Sequence, residues 1–341
     1  MPVNMFETRT MLAAIHQMLS PHSFLKDTFF PKPETQLTET IEFDFKKGKR
    51  VMAPFVAPRI GGKVVDRQGF TTKSLKTGKI APERIITIDD VNKRSLGENI
   101  YSQRTPAQRA QQLLAEDLID LDDQILRREE WMCREVLLNG KVTMSGEGFE
   151  QQVDYNFTNK VALSDGEKWS DYENSDPITY LKEQRLKIIK ATGMTPDILV
   201  LASNVVDTFI NHPKVKEMLN LLRLNIGSIE PSIKSEAVTF VGKLPALGIE
   251  IYSYDEWYLD DNLVEQPMIP NNHIIMGVSK KNRIIYGAVT QYENKKLVTI
   301  EGTRVPKYLL DEDNEVQKLR LTSRPVPVPS DIDSWIVSVV Q

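Results

Sequence analysis

The chain has 341 residues and a mass of 38.9 kDa, enough for several compact domains and a sizeable buried core. Apolar residues make up 40% and charged residues 26% of it, which is typical of an ordinary globular protein. The 43 basic and 47 acidic side chains give a net charge of −4, whereas a dedicated nucleic-acid-binding protein usually carries a basic excess. Any contact with DNA is therefore expected to be weak and non-specific.

Cys133 is the single cysteine, which excludes an intramolecular disulfide framework and a thiolate metal cluster. This usage fits assembly in a reducing cytosol. The beginning of the chain lacks the basic region, long apolar run and cleavage site of a signal peptide. Apolar runs also stay below the roughly 18 residues that a membrane span requires. We therefore expect neither a leader nor a membrane partner.

Residues 1–34 are predicted to form an arm. A short amphipathic stretch over residues 11–19 ends before Pro21, because proline disfavours helix in the residue that precedes it. A second apolar patch follows in Phe24, Leu25, Phe29 and Phe30. This patch cannot form a core alone. It must dock on the body of the subunit or on a neighbour.

Two segments after the arm point to strands and a long excursion. Ile41, Phe43 and Phe45 alternate with acidic residues, which predicts a half-buried strand that turns at residues 46–49. Residues 59–84 hold seven basic residues, two acidic residues and four glycines. We interpret them as a two-stranded excursion that is mobile in the free subunit, because an isolated hairpin is at best marginally stable. Composition alone fits a solvated loop equally well.

The strongest local signal is a helix over residues 106–138. Thr105 suits the N-cap and Pro106 the first helical position, and Asn139-Gly140 supplies a left-handed stop. One apolar stripe follows three- and four-residue spacings: Ala110, Leu114, Leu118, Leu121, Ile125, Met132 and Val136. At about 1.5 Å per residue the rod would be about 50 Å long. A helix of this length is expected to organise an elongated subunit.

The remaining chain alternates between strand-like and helix-like spacing of its apolar residues. Residues 142–159 are strand-like, residues 166–176 are polar and turn-rich, and a helix over 178–191 ends at Gly193. A strand over 197–201 and a helix from Ser203 that breaks at Pro213 follow. Further strands are predicted at residues 238–241, 248–254, 273–278, 283–290 and 295–301. The apolar C-terminus is expected to be docked into a sheet.

A search for chemistry returns no convergent site. The four histidines lack metal-ligand spacing, and neither a nucleophile elbow nor a dinucleotide fingerprint occurs. Thr77-Gly78-Lys79 resembles the end of a phosphate loop, but Ile80 replaces the required hydroxyl residue. Asp311, Asp313 and Glu315 mimic a calcium loop in which Val316 replaces the turn glycine.

Two further features have a plain structural interpretation. Cys133 lies within the long helix and is read as a structural thiol. An acidic cluster on the same helix is interpreted as a solvated face or an intersubunit contact: Glu116, Asp117, Asp120, Asp122 and Asp123. We therefore predict no catalytic residue, no cofactor-binding residue, no metal ligand and no enzymatic activity.

Several segments in a fixed order resemble one family. They are residues 136–147, Phe24-Leu25 with Phe29-Phe30, residues 55–58, residues 62–65, residues 270–277 and Tyr286-Gly287-Ala288. In these segments and in length the chain resembles the major capsid proteins of lambda-like tailed bacteriophages. The resemblance covers nearly all of the chain. It implies an α+β protein with the Hong Kong 97 phage capsid fold.

That fold implies a division of the chain into parts. They are an N-terminal arm (1–34), a peripheral-domain strand segment (35–58), an extended β-hairpin loop (59–84), a peripheral domain with a long spine helix at 106–138 (85–170), an axial α/β domain (171–300), and a return to the peripheral domain with C-terminal strands (301–341). In this family the loop would reach over a neighbour. Our own hypothesis is that its positive charges face an acidic surface there, such as one bearing part of the Glu116–Asp123 cluster. A cross-link between subunits, known in one relative, cannot be assigned to any lysine here.

The resemblance also implies a function. The chain would assemble into pentamers and hexamers of an icosahedral shell enclosing double-stranded DNA of a phage or prophage. It would need a separate scaffold protein, because the arm begins within the first few residues, together with a portal and a small decoration protein. Assembly would take place in the host cytoplasm. The alternatives are an encapsulin-type nanocompartment shell, a soluble α/β enzyme with an unrecognised site, and a tail-tube protein, although tube proteins are mostly β.

Overall fold

The fold was analysed in a computed structural model of the chain. It describes residues 23–45, 71–92, 105–146, 148–221, 232–235, 237–293, 295–311 and 316–341, together with Met11 and Met52. Within these residues the α-helices are α1 (Phe24–Phe29), α2 (Ile88–Asn92), α3 (Pro106–Asn139), α4 (Pro177–Thr192), α5 (Ser203–Asn211) and α6 (Pro213–Leu221). The strands are interspersed among them, so the fold is mixed α/β.

The largest sheet has seven strands among the described residues. In spatial order they are β7 (Lys160–Ala162), β21 (Trp335–Val339), β14 (His273–Gly277), β8 (Ile198–Leu201), β11 (Ile249–Tyr254), β10 (Val238–Leu244) and β9 (Ser232–Ser235). Strand β8 is buried along its whole length and pairs parallel with β11 and antiparallel with β14. The C-terminal strand β21 pairs with β14, which confirms that the apolar C-terminus docks into a sheet.

Two three-stranded sheets and four ribbons complete the described strands. The first sheet joins β1 (Lys32–Thr35), β15 (Arg283–Tyr286) and β20 (Pro325–Val328); the second joins β18 (Val305–Asp311), β19 (Val316–Thr322) and β4 (Glu83–Thr87). The ribbons are β2 (Thr40–Phe45) with β3 (Thr71–Lys76), β5 (Lys141–Gly146) with β6 (Phe149–Asp154), β12 (Trp257–Leu259) with β13 (Glu265–Pro267), and β16 (Val289–Glu293) with β17 (Lys296–Ile300). A short 3-10 helix spans Ile332–Ser334.

The long helix α3 forms as its sequence predicts. Thr105 Oγ1 accepts from the Gln108 N–H (3.3 Å), and the Gln108 side chain accepts from the Thr105 N–H (3.0 Å), a reciprocal capping box. The helix ends at Gly140, whose φ of +68° is left-handed, and a Cβ there would lie 2.0 Å from Phe157 Cβ. Both ends of the helix are therefore encoded locally.

Helix α3 crosses two hydrophobic cores. Its first half packs on β19 in a small core made of Met11, Leu114, Leu118, Leu121, Ile125, Leu319 and Leu321. Its second half, from Met132 to Leu138, enters the main core beside the seven-stranded sheet. Leu25, Phe29 and Phe30 are buried in that main core, so this patch docks on the body of its own subunit.

Three parts of the chain differ from the sequence expectation. Residues 71–76 pair with Thr40–Phe45, and Glu83 and Arg84 pair with β19, so the second half of the expected mobile loop lies in strands of the subunit. The single strand expected over 283–290 is two strands in different sheets, because the chain turns at Gly287 and Ala288. The β18–β19 hairpin was not predicted. The turn at 46–49 and residues 59–70 lie outside the described residues.

The described helices are too polar or too short to span a membrane.

Candidate functional site

Helix α3 carries two adjacent carboxylates, Glu129 and Glu130, in the interior of the subunit. Glu129 is fully buried and Glu130 is 3% exposed. Consecutive helical residues point about 100° apart, since a turn takes 3.6 residues. The two side chains therefore reach different partners. We call Glu129, Glu130, Asp122, Arg304 and Lys26 the buried ion cluster.

Glu129 is held by two cations. The Arg304 guanidinium, one residue before β18, donates from Nη1 to Glu129 Oε1 (2.5 Å) and from Nη2 to Oε2 (3.1 Å), a bidentate pair. Its Nε donates to Asp122 Oδ1. Lys26 Nζ of helix α1 donates to Glu129 Oε2 at 2.8 Å. Arg304 Nη1 also lies within hydrogen-bond distance of Ser323 Oγ, at 3.3 Å.

The electrostatics of Glu129 keep it ionised. Burial alone would raise the pKa of Glu129, but Arg304 and Lys26 outweigh it, and the pKa falls below its ordinary value. Burial acts against the charge of Arg304 as well, yet Glu129 raises the pKa of that guanidinium. The charges of Lys26 and Arg304 balance those of Asp122 and Glu129, so these four side chains together are close to neutral.

Glu130 binds the beginning of helix α1. Its Oε1 accepts from the Leu25 N–H (2.6 Å) and its Oε2 from the Lys26 N–H (2.8 Å). The N-cap residue Ser23 supplies no capping hydrogen bond, so Glu130 satisfies these amides in its place. The Tyr254 hydroxyl of β11 donates to Glu130 Oε1 at 2.9 Å. Burial raises the pKa of Glu130 to about 7, although the amide donors oppose that rise.

The contacts of the buried ion cluster support a structural role. Both carboxylates have donors on each oxygen, and the cluster joins helix α1, helix α3, strand β11 and the entry to β18. Glu130 also lines an open cavity of about 1030 Å³, together with Phe24, Asp123 and Tyr252. A raised carboxylate pKa in a cavity can mark a catalytic base. Here the capping contacts to Leu25 and Lys26 explain the burial of Glu130.

The acidic cluster predicted on helix α3 divides into two groups. Glu116 and Asp120 are exposed, and Arg84 Nη2 pairs with Asp120 Oδ2 at 3.0 Å within the same subunit. Asp122 does not lie on a solvated face, contrary to the expectation from the sequence. It is 6% exposed and bound to Arg304, because it lies two helical turns before Glu129 on the same face.

The other residues considered from the sequence have ordinary roles. Cys133 is buried. This burial, and to a smaller extent the nearby charge of Glu130, raises the pKa of its thiol well above the usual value. His212 is buried with its Nε2 2.9 Å from Ser175 Oγ. The Thr77 hydroxyl donates to the Glu39 carbonyl (3.0 Å), so it forms part of a packed loop. Asp311 ends strand β18. His16, His22, Asp313 and Glu315 lie outside the described residues.

Among the described residues, no group of three or more His, Cys, Asp or Glu side chains could hold a metal ion.

We did not predict Glu129, Glu130 or Arg304 from the sequence. A signal for Glu129 was present: it lies four residues after Ile125, a spacing that continues the apolar stripe of helix α3. A charge at such a position must have a partner in the core. The partner Arg304 is distant in sequence, so no local pattern indicates it.

Comparison with known proteins decides the family. The sequence model of the phage major capsid protein E family matches residues 7–340. The chain belongs to this family. It is 24% identical to the major capsid protein of enterobacteria phage P21 over 99% of this chain and 100% of that one. It is 24% identical to the major capsid protein of Escherichia phage lambda over 98% of each.

A solved structure shows the same fold. The putative capsid protein of a prophage of Escherichia coli CFT073 superposes with a TM-score of 0.73 at 20% identity, covering 98% of this chain and 99% of that one. Membership of the phage major capsid protein E family makes this chain a head subunit of a lambda-like phage or prophage. The predictions of a structural virion protein and of no enzymatic role are confirmed by that membership.

Proposed function

We propose that the subunit has the Hong Kong 97 capsid fold and assembles, as pentamers and hexamers, into a closed icosahedral shell around double-stranded DNA. The observation that carries the proposal is helix α3, whose 34 residues join the small core on β19 to the main core. A helix that crosses two cores suits a spine. Family membership already makes the chain a capsid subunit that associates with its own copies.

The division into parts is carried forward as a proposal. The spine is helix α3, and the axial domain of residues 171–300 contains five of the described strands of the large sheet, from β8 to β14. Strands β7 and β21, from outside that range, extend the same sheet. The arm of residues 1–34 is rooted at helix α1 by the buried ion cluster. The loop of residues 59–84 ends in strands β3 and β4 on the subunit body.

Exposed apolar ribbons support contacts between copies. The β12–β13 ribbon carries Trp257, 53% exposed, and Leu263, 79% exposed, in its turn. The β16–β17 ribbon carries Tyr292 and Leu297, both about two-thirds exposed. Two-stranded ribbons are marginal alone, and exposed apolar patches mark interaction surfaces. Coverage by neighbouring subunits would remove this area from water.

The test is electron microscopy of the expressed chain, alone and with its neighbouring head genes. Closed shells with five-fold and six-fold capsomers are expected. Leu263→Ser should lower the yield of shells and leave the thermal midpoint of the free subunit unchanged, because this side chain contributes little to its own fold. A chain that stays monomeric under every condition would refute the proposal.

The partners follow from the same proposal. A separate scaffold protein, a portal and a small decoration protein would act with this chain in the host cytoplasm, and the packaged DNA would be contacted non-specifically. The small negative net charge supports only weak DNA contact. Uniform shells of native size made from this chain alone would contradict the need for a scaffold.

A further inference from the structure

The β12–β13 ribbon presents apolar side chains to solvent on one of its sides. Trp257 and Leu259 are each more than half exposed, and they point to the same side because side chains alternate along a strand. Tyr258, between them, points to the other side and is only half-buried. Leu263 and Val264 extend the exposed apolar area into the turn. The free subunit therefore leaves a contiguous run of large apolar side chains uncovered.

The turn of this ribbon holds a large apolar residue where folding favours a small or polar one. Leu263 has a φ of +61°, in the left-handed region that glycine and asparagine adopt most readily. Its side chain is mostly exposed, so burial within the subunit does not offset that conformation. The turn is nevertheless ordered, since Asp260 Oδ1 accepts from the N–H groups of Asn262 (2.8 Å) and Val264 (2.9 Å). A leucine held out in solvent at a fixed position indicates a contact outside the subunit.

The charge of the β12–β13 ribbon restricts what can cover it. Residues 255–265 include five carboxylates and neither lysine nor arginine. Arg128 of helix α3 pairs with one of them, Asp261. Glu265 is exposed and lies directly opposite Leu259 in the register, so it shares the outward side of the ribbon. Because like charges brought together across an interface are costly, the partner must combine apolar surface with positive charge.

The β16–β17 ribbon has both properties. Tyr292 and Leu297 are directly opposite each other in the register, so they share one side, and each is about two-thirds exposed. Lys295 and Lys296, next to them in the chain, are both exposed. The single carboxylate of this ribbon, Glu293, has Lys296 opposite it in the register. The end of the ribbon is therefore apolar on one side and positive in net charge.

We propose that the β12–β13 ribbon of one subunit packs against the β16–β17 ribbon of a second copy in the assembled shell. The inference rests on the proposed assembly and assigns the two surfaces that meet. In a ring of five or six identical subunits each contact joins two different surfaces, because the same interface repeats from copy to copy. Self-contact of either ribbon about a two-fold axis would bring like charges together. Pairing the two ribbons removes both apolar surfaces from water and places opposite charges side by side.

Helix α4 provides the strongest competing surface. Leu186 is about half exposed there and lies one helical turn from Lys182 and from Lys190, so this surface is also apolar and basic. Within this helix, all of which is described, Leu186 is the one large apolar side chain that is exposed. The β16–β17 ribbon presents two such side chains on one side and is the better match. Leu186 serves as the control position.

The experiment uses shells of the full chain made with the neighbouring head genes. Cys133, the single natural cysteine, is fully buried, so introduced thiols are the accessible ones. Val264→Cys and Thr299→Cys subunits, both altered at the ribbons beside Leu263 and Leu297, are co-expressed in equal amounts and treated with a short bismaleimide. Mass spectrometry should find dimers that join one subunit of each kind in shells and not in free subunits. Val264→Cys with Leu186→Cys should give no such dimers.

A charge exchange tests the same contact without a linker. Glu265→Lys and Lys295→Glu should each raise the critical concentration for assembly by about two- to fivefold, as loss of an exposed ion pair does. The two changes combined should return it to within about twofold of wild type. The thermal midpoint of the free subunit should stay the same, because both side chains are exposed. Lys187→Glu, which reverses an exposed charge of helix α4, should change neither quantity.

Three results would overturn the inference. Dimers of two Val264→Cys subunits in shells would show that the β12–β13 ribbon meets itself. Links to Leu186→Cys in place of Thr299→Cys would assign the partner surface to helix α4. A combined charge variant that assembles no better than the single variants would show that the two charges do not meet. Absence of shells from the wild-type chain would count against the proposed assembly itself, which is a separate outcome.

Discussion

Replacing Arg304 by methionine is the most direct test of the buried ion cluster. Arg304 is 8% exposed and binds Glu129, which is fully buried, as well as Asp122. Methionine preserves much of the volume, but it leaves Glu129 with Lys26 as its remaining cation and removes the ion pair of Asp122 with Arg304. Removing one partner of a buried ion pair costs about 3–5 kcal/mol, because the other charge stays desolvated. We expect a loss of unfolding free energy in this range at pH 7.

The loss should shrink in acid. In the wild type the pKa of Glu129 is lowered by Arg304 and Lys26, so its stabilising contribution is present above the unfolded pKa and is lost as pH falls. Without Arg304, burial dominates and Glu129 takes up a proton at higher pH. The variant should therefore be closer to wild type at pH 5 than at pH 7.

Urea unfolding of the free subunit, followed by the fluorescence of buried tryptophans such as Trp335, measures both effects. The matched control is Arg128→Met, which removes a pair with Asp261 in which both side chains are largely exposed. That change should cost no more than about 1 kcal/mol. Equal losses for the two variants, or a penalty for Arg304→Met that does not depend on pH, would refute the assignment.

Three further predictions concern the same elements. Burial raises the pKa of Glu130 to about 7, so the folded state holds a proton that the unfolded state releases at lower pH; the stabilising contribution of this proton should be lost as pH rises towards 7, and Glu130→Gln should remove that part of the pH dependence in urea titrations. Leu118→Asp should bury an unpaired charge in the small core, cost several kcal/mol and give insoluble protein, whereas Ile119→Asp, next to it and 48% exposed, should remain soluble. Gly140→Ala should lower the thermal midpoint more than Gly148→Ala: both positions have positive φ, but only at Gly140 does the new methyl meet Phe157.

The sequence predicted those elements whose signals are local. Helix α3 has its cap at Thr105 and its stop at Gly140, and helix α4 likewise ends at the left-handed Gly193. Helices α5 and α6 break at His212-Pro213 as expected. Where a residue takes its partner from far along the chain, the pattern gave the wrong environment. Asp122 was grouped with its acidic neighbours on a solvated face, although it lies four residues after Leu118; its partner Arg304 is 182 residues away in sequence.

The strand pairing shows the same limit. Composition marked residues 59–84 as one basic excursion, but Lys76 and its strand are paired with Thr40–Phe45, and Arg84 is paired with Asp120. A charge excess describes a segment without indicating which part has a hydrogen-bonded neighbour. Likewise, the alternation around Leu319 and Leu321 in β19 does not indicate that β18 and β4 are the strands beside it.

The buried ion cluster explains why a helix as short as α1 exists at all. Six residues are too few for a stable helix in water, since nucleation is unfavourable and little hydrogen bonding follows it. Leu25 and Phe29 provide burial, but apolar contacts alone permit several orientations. The contacts of Glu130 to two amides and of Glu129 to Lys26 are directional, and both originate on adjacent residues of helix α3. Helix α1 is therefore expected to move together with helix α3 in any change of subunit shape, because separating them would remove both amide donors from Glu130 and the Lys26 donor from Glu129.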